Sequence, residues 1–191
     1  MKLPIIAYGD PVLRKIAAEI GPEYDGLNTL IENMFETMYH SNGVGLAAPQ
    51  IGLSIRLFIV DISPDSDEKE EKTHSEKLVK KVFINPLMLR EFGKPWIFTE
   101  GCLSIPGVRE DVKRDDQIEL LYRDENFIEH TELFDGMLAR VIQHEYDHLQ
   151  GILFIDHINS LKKALIKSML NRISIGDIKV DYKMKFPLRK K

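Results

Sequence analysis

Two histidines four residues apart with a glutamate beside the first, His144-Glu145-Tyr146-Asp147-His148, fit the H-E-x-x-H pattern of metal-assisted hydrolysis. At about 100° per residue the two rings lie about 40° apart and one turn along the same helix face, so both imidazoles can converge on one cation. With Leu138 as origin, Val141, Ile142, Tyr146 and Leu149 form an apolar arc, and Glu145 falls inside it at about 340°. Arg140, Gln143, Asp147 and Gln150 occupy the opposite side. A carboxylate in an apolar stripe loses hydration, so its pKa rises toward the range of a general base at neutrality, unless a metal's charge pulls it back. A surface helix with two incidentally spaced histidines leaves that carboxylate unexplained.

Two histidines need a third protein ligand. The longer H-E-x-x-H-x-x-G-x-x-H pattern fails, because Gly151 is in place but Phe154 stands where the third histidine belongs. A downstream glutamate is also missing, since Glu145 is the last in the chain and only Asp156, Asp177 and Asp181 follow His148. Cys102, the single cysteine, remains, flanked by Gly101, Pro106 and Gly107, which force irregular backbone around it. A His2Cys set leaves a fourth tetrahedral position free, the arrangement of a catalytic rather than a structural site.

A third segment, Gly43-Val44-Gly45-Leu46-Ala47-Ala48-Pro49-Gln50-Ile51-Gly52, is rich in small residues. It lacks the Lys-Ser/Thr pair and the preceding strand of a phosphate loop. Its glycines instead predict close approach of backbone to a ligand, with Gln50 as a directed amide donor.

Taken together, GVGLAAPQ at 43–50, EGCLS at 100–104 and QHEYDHL at 143–149 resemble the three motifs of the peptide deformylase family, in that family's order. The resemblance runs from the N-terminus to about Asp156. It implies hydrolysis of the formyl group from the N-terminal formylmethionine of nascent polypeptides, releasing formate. By the same resemblance Cys102, His144 and His148 hold one divalent metal per chain, Fe2+ by preference, with Zn2+, Ni2+ or Co2+ compatible with the same donors. Glu145 would be the acid/base, and the metal, the Gln50 amide and the Leu103 N–H would hold the oxyanion. Val44, Gly45, Phe98, Gly101, Arg109, Met137 and Val141 would form the substrate site, with Arg109 near its entrance and Glu100 and Arg114 as a supporting ion pair. Two other functions fit parts of the pattern. One is a metallopeptidase cutting internal peptide bonds, the other a non-catalytic, metal-stabilised binding module.

These residues must be positioned by a recognisable set of elements. Leu27, Leu30, Ile31, Met34, Phe35 and Met38 recur at helical spacing and predict a helix over 26–39. Residues 56–62 and 82–90 read as strands, and 108–114, 117–123 and 127–134 as a meander. A second helix is expected over 137–150, ended by Gly151, and a third, basic one over 161–173 before an extended tail. Helices bracketing a run of strands predict an α+β fold, here antiparallel sheets packed around a central metal-binding helix, with a C-terminal helix.

The 191 residues, 43% hydrophobic and 29% charged, are expected to form a single catalytic domain. Residues 63–80 read as an acidic inserted loop with little to bury. The net charge of −4 divides into +8 for residues 159–191 and −12 for the rest. That basic helix and tail suit docking to ribosomal RNA through phosphate contacts. No apolar run approaches the length of a membrane span and no signal-peptide pattern opens the chain, so the expectation is a cytoplasmic protein with no membrane or DNA partner.

Overall fold

The computed structural model describes residues 1–62 and 79–187. Seven strands and three helices follow in the order β1 (Ile5–Ile6), α1 (Leu27–His40), β2 (Gly45–Ala47), β3 (Leu57–Ile62), β4 (Val79–Cys102), β5 (Ile105–Arg123), β6 (Glu129–Asp135), α2 (Gly136–Leu149), α3 (Ser160–Ile175) and β7 (Met184–Lys185). Strands β2 to β6 form one antiparallel sheet in sequential order. Pairing is parallel in the small β1–β7 sheet and in an isolated bridge between Ala18 and Ile55.

Alternation along β3 shows how the sheet separates two cores. Leu57, Phe58, Ile59 and Val60 are all fully buried. Successive side chains of a strand point to opposite faces, so Leu57 and Ile59 join the cluster with Ile31, Met34 and Phe35 of α1. Phe58 and Val60 join the cluster with Ala139, Val141, Ile142 and Leu149 of α2. A continuous apolar run is therefore two interleaved sets, each facing its own helix. A third cluster gathers Leu170 and Ile173 of α3 against Ile105, Val108, Val112, Leu153 and Phe154.

The three helices lie within two residues of their expected bounds, and the α+β architecture with a C-terminal helix is as expected. The strands differ more. The two strands expected at 108–114 and 117–123 are one strand, β5, and the strand expected at 82–90 continues to Cys102. The register between β4 and β5 shifts near Asn85–Pro86, Leu89 and Gly93–Lys94. These bulges take up Pro86 and Gly93 without ending the strand. Gly93 adopts a left-handed φ of 94°, and Asp116 Oδ1 accepts the Lys94 N–H at 2.7 Å. Asp115-Asp116 therefore marks a bulge contact rather than a turn. The acidic segment expected at 63–80 lies outside the described residues except for Val79 and Lys80, which begin β4. The expected extended tail carries a short strand, β7, and is tied to the fold. Ile5 N–H donates to Lys183 O and Ala7 N–H to Lys185 O, both at 2.9 Å, and Ile178, Met184 and Phe186 pack on the third cluster.

Candidate metal centre and active site

Helix α2 packs against β2, β3, β5 and β6, so its chemistry faces inward. His144 and His148 stand one turn apart with ring centroids 5.2 Å from each other. The β4–β5 hairpin brings Cys102 to them at the rim of a turn containing only Leu103 and Ser104. One donor atom from each of Cys102, His144 and His148 lies within 4.8 Å of the others. Cys102 Sγ is 3.3 Å from His148 Nε2. A thiolate and an imidazole on one tetrahedral cation, with metal distances of about 2.3 and 2.0 Å, stand about 3.5 Å apart. The donors and their spacing thus fit a divalent metal. Burial pushes the Cys102 thiol up, but the charge on His148 and hydrogen bonds from both histidines outweigh it and bring it down to about 5. The sulfur is a thiolate at neutral pH, the form that binds metal.

The orientation of His144 comes from a buried charge lattice. Glu100, 5% exposed, receives His144 Nδ1 at 2.9 Å, leaving Nε2 of that ring for the metal. Arg114 donates to Glu100 from Nε at 2.8 Å and from Nη2 at 3.1 Å, and Arg140 Nη1 adds a third contact at 3.0 Å. Arg114 Nη1 also reaches Asp147 Oδ2 at 2.7 Å, and His157 Nε2 reaches the same oxygen at 2.8 Å. Burial raises the Glu100 pKa, but the bonds from His144 and Arg114 hold it well below the usual carboxylate range. Asp147 is likewise lowered, by His157 and Arg114 against its burial. The expected Glu100–Arg114 pair is present. The polar side of α2 proves to be an interior face, with Arg140 and Gln143 each 2% exposed.

Glu145 has the opposite surroundings. It is 4% exposed and its Oε2 has no hydrogen-bond partner among the described residues. Burial raises its pKa to about 7 even though His144 and His148 pull it down. Gly45 makes room for this carboxylate, since a Cβ on Gly45 would stand 2.6 Å from Glu145 Oε1. The close approach expected of the glycine-rich segment is thus to the catalytic candidate itself. In the turn of 3-10 helix after β2, Ala47 N–H donates to Gln50 Oε1 at 2.7 Å. That bond fixes the amide so that Gln50 Nε2 points at Cys102 Sγ, 3.4 Å away.

These groups open onto a cavity of about 630 Å³. Each residue expected to bind substrate lines it, namely Val44, Gly45, Phe98, Gly101, Arg109, Met137 and Val141, together with Gln50, Cys102, Leu103, His144 and Glu145. His148 sits behind the wall at 1% exposure. The sequence reading missed Arg140, whose position on the polar side of the helix concealed its role. It also missed Tyr182, which lines the cavity from the tail and donates from its hydroxyl to Leu103 O at 2.8 Å. No spacing pattern points to Tyr182.

Comparison with known proteins gives a consistent result. A family model described as polypeptide deformylase matches residues 2–164. The peptide deformylase of Christiangramia forsetii is 56% identical over 194 aligned residues, covering all of this chain and 99% of the relative. That of Flavobacterium psychrophilum is 54% identical, with both chains covered in full. Among solved structures, a peptide deformylase from Legionella pneumophila superposes with a TM-score of 0.78 at 37% identity, over 90% of this chain and 95% of that one. The likeness therefore extends beyond Asp156, where the motif resemblance stops, and takes in the tail.

Proposed function

The chain belongs to the polypeptide deformylase family, and from that premise we propose that it hydrolyses the formyl group of N-terminal formylmethionine, releasing formate and a free amine. The observation that carries this reading is the buried carboxylate of Glu145, its Oε2 without a partner among the described residues, beside the Cys102, His144 and His148 donors at one cavity. A divalent cation held by those donors would supply Lewis-acid polarisation and an acidified water. Fe2+ is the proposed native metal, and its thiolate ligand makes oxygen sensitivity the expected signature.

In this proposal Glu145 takes the proton from the attacking water, which its raised pKa suits, and returns it to the leaving amine nitrogen. The Gln50 Nε2 and the Leu103 N–H hold the oxyanion of the tetrahedral intermediate, donors whose individual loss typically costs about 100-fold to 1000-fold in rate. Val44, Phe98, Met137 and Val141 would surround the methionine side chain, Gly45 and Gly101 would lie along the peptide backbone, and Arg109 would stand at the entrance. Residues 1–191 act as one catalytic domain in this reading, located in the cytoplasm.

The test is formate release from a formyl-Met tripeptide by anaerobically prepared, iron-loaded protein, with Glu145→Ala alongside. Release lost in the variant while metal is retained is the expected result. Absence of release from wild-type protein with one bound metal per chain would overturn the reading. Equal activity half-lives in air and under nitrogen would overturn iron.

The basic C-terminal region is proposed to dock on ribosomal RNA. Lys167, Lys179, Lys183 and Lys185 are exposed, whereas Lys162, Lys163 and Arg172 are occupied with Glu110, the Asp156 carbonyl and Asp177, at 2.9, 3.2 and 2.9 Å. Reversing those four exposed charges is expected to weaken ribosome cosedimentation steeply with salt. Unchanged cosedimentation would remove the partner.

A further inference from the structure

We propose that Tyr182 is a positioning residue for the reaction, holding the turn that carries the Leu103 amide, and that the paired terminal segments of the fold serve as its clamp. The inference rests on the proposed reading of Leu103 as an oxyanion donor. The turn between β4 and β5 has two residues, and the carbonyl of each is gripped from outside the hairpin. Tyr182 donates to Leu103 O and Tyr8 N–H donates to Ser104 O, each at 2.8 Å. Tyr8 follows β1 and Tyr182 precedes β7, and these strands pair through Ile5 with Met184 and Ile6 with Lys185. Both grips are therefore parts of one crosstie. It is seated on the core, because Ile178, Met184 and Phe186 pack in the cluster that includes Ile105 and Cys102.

The physical consequence follows from peptide planarity. Fixing Leu103 O fixes the plane of the Leu103–Ser104 peptide unit. With Cys102 held on the other side, the Leu103 N–H loses freedom to swing away from the cavity. Oxyanion donors act through preorganisation, so a donor that must be reoriented during the reaction contributes less. Tyr182 suits the task because a phenol donates at neutral pH without carrying charge into the site.

The experiment compares wild type and Tyr182→Phe as metal-loaded, full-length proteins. A donor used only as charge develops affects kcat and not KM. The expected result is a fall in kcat of about 3-fold to 30-fold on a formyl-Met tripeptide, with KM changed by less than about 2-fold. In zinc-loaded protein, 15N relaxation should show the Leu103 and Ser104 amides losing order while those of α2 keep theirs. A truncation after Gly176 removes Tyr182 and β7 and leaves β1 without its partner strand, and it should loosen the same amides further. Unchanged order at Leu103 and Ser104 would overturn the clamp. Loosened amides with unchanged kcat would also overturn the proposal, by removing the Leu103 amide from the reaction. A wild-type protein that releases no formate fails the hydrolase reading instead, while the order parameters still test the clamp.

Discussion

Two buried glutamates within reach of His144 are treated in opposite ways. Glu100 is surrounded by donors from His144, Arg114 and Arg140, whereas Glu145 is set into an apolar stripe with one oxygen unpartnered among the described residues. Both are about equally hidden from water, 5% and 4% exposed, so burial alone does not distinguish them. Partners do. Burial penalises the charge on each, the lattice around Glu100 more than offsets that penalty, and nothing comparable offsets it at Glu145. A carboxylate so fixed is suited to orienting a ligand histidine, and one left so unsatisfied is suited to exchanging a proton.

The comparison breaks most directly at Glu145. Glu145→Gln should lower kcat by about 100-fold to 10,000-fold, the usual contribution of a positioned acid/base, while metal analysis shows full loading. Retention of activity within about tenfold would erase the functional difference between the two glutamates. Glu100→Ala should act on stability and metal instead. It takes the shared carboxylate from two buried guanidinium groups, leaving Arg114 with Asp147 and Arg140 with backbone carbonyls alone, and breaking a buried pair in this way typically costs about 3–5 kcal/mol. It also releases His144 Nδ1, which should weaken metal binding by about 10-fold to 100-fold in a chelator competition. A variant as stable as wild type would show that the lattice is dispensable.

Titration sharpens the contrast, because the two groups should tilt stability in opposite directions. In metal-stripped protein Glu145 has a raised folded-state pKa, so the folded state binds more protons and stability falls as pH rises from about 4.5 to about 7. The full span is on the order of 3 kcal/mol, and Glu145→Gln should flatten it in urea melts taken across that range. Glu100 has a lowered pKa, so its contribution is present above the ordinary carboxylate value and is lost as pH falls below about 4. A Glu145→Gln melt series with the wild-type slope would remove the contrast. A last test at the same carboxylate is Gly45→Ala, whose added Cβ displaces Glu145. A shift on the 1 Å scale should cost about 10-fold to 100-fold in kcat, with metal content unchanged.

The apolar side of this contrast was legible in the sequence and the polar side was not. Periodicity alone puts His144, His148 and Glu145 on their faces of α2, and elimination of other ligands leads to Cys102, because these arguments use local geometry and residue chemistry. The burial of Arg140 and Asp147 depends on partners that arrive from β4 and β5, and no helical wheel contains that information. The same is true of the long hairpin. Gly93, Pro95 and Asp116 carry turn-like chemistry, yet here they build bulges that keep the strands running. Tyr182 has no spacing relation to the motifs at all, and only the β1–β7 pairing brings it to the turn.

The β1–β7 pair also has a consequence for folding order. It joins Ile5 to Met184, nearly the full span of the described chain, and each strand is two residues long. Loop-closure entropy delays such a contact until the intervening structure has shortened the path between its ends. The turn between β4 and β5 is thus latched by a contact that needs the rest of the fold in place, and a molecule whose helices and main sheet are already complete still lacks that latch.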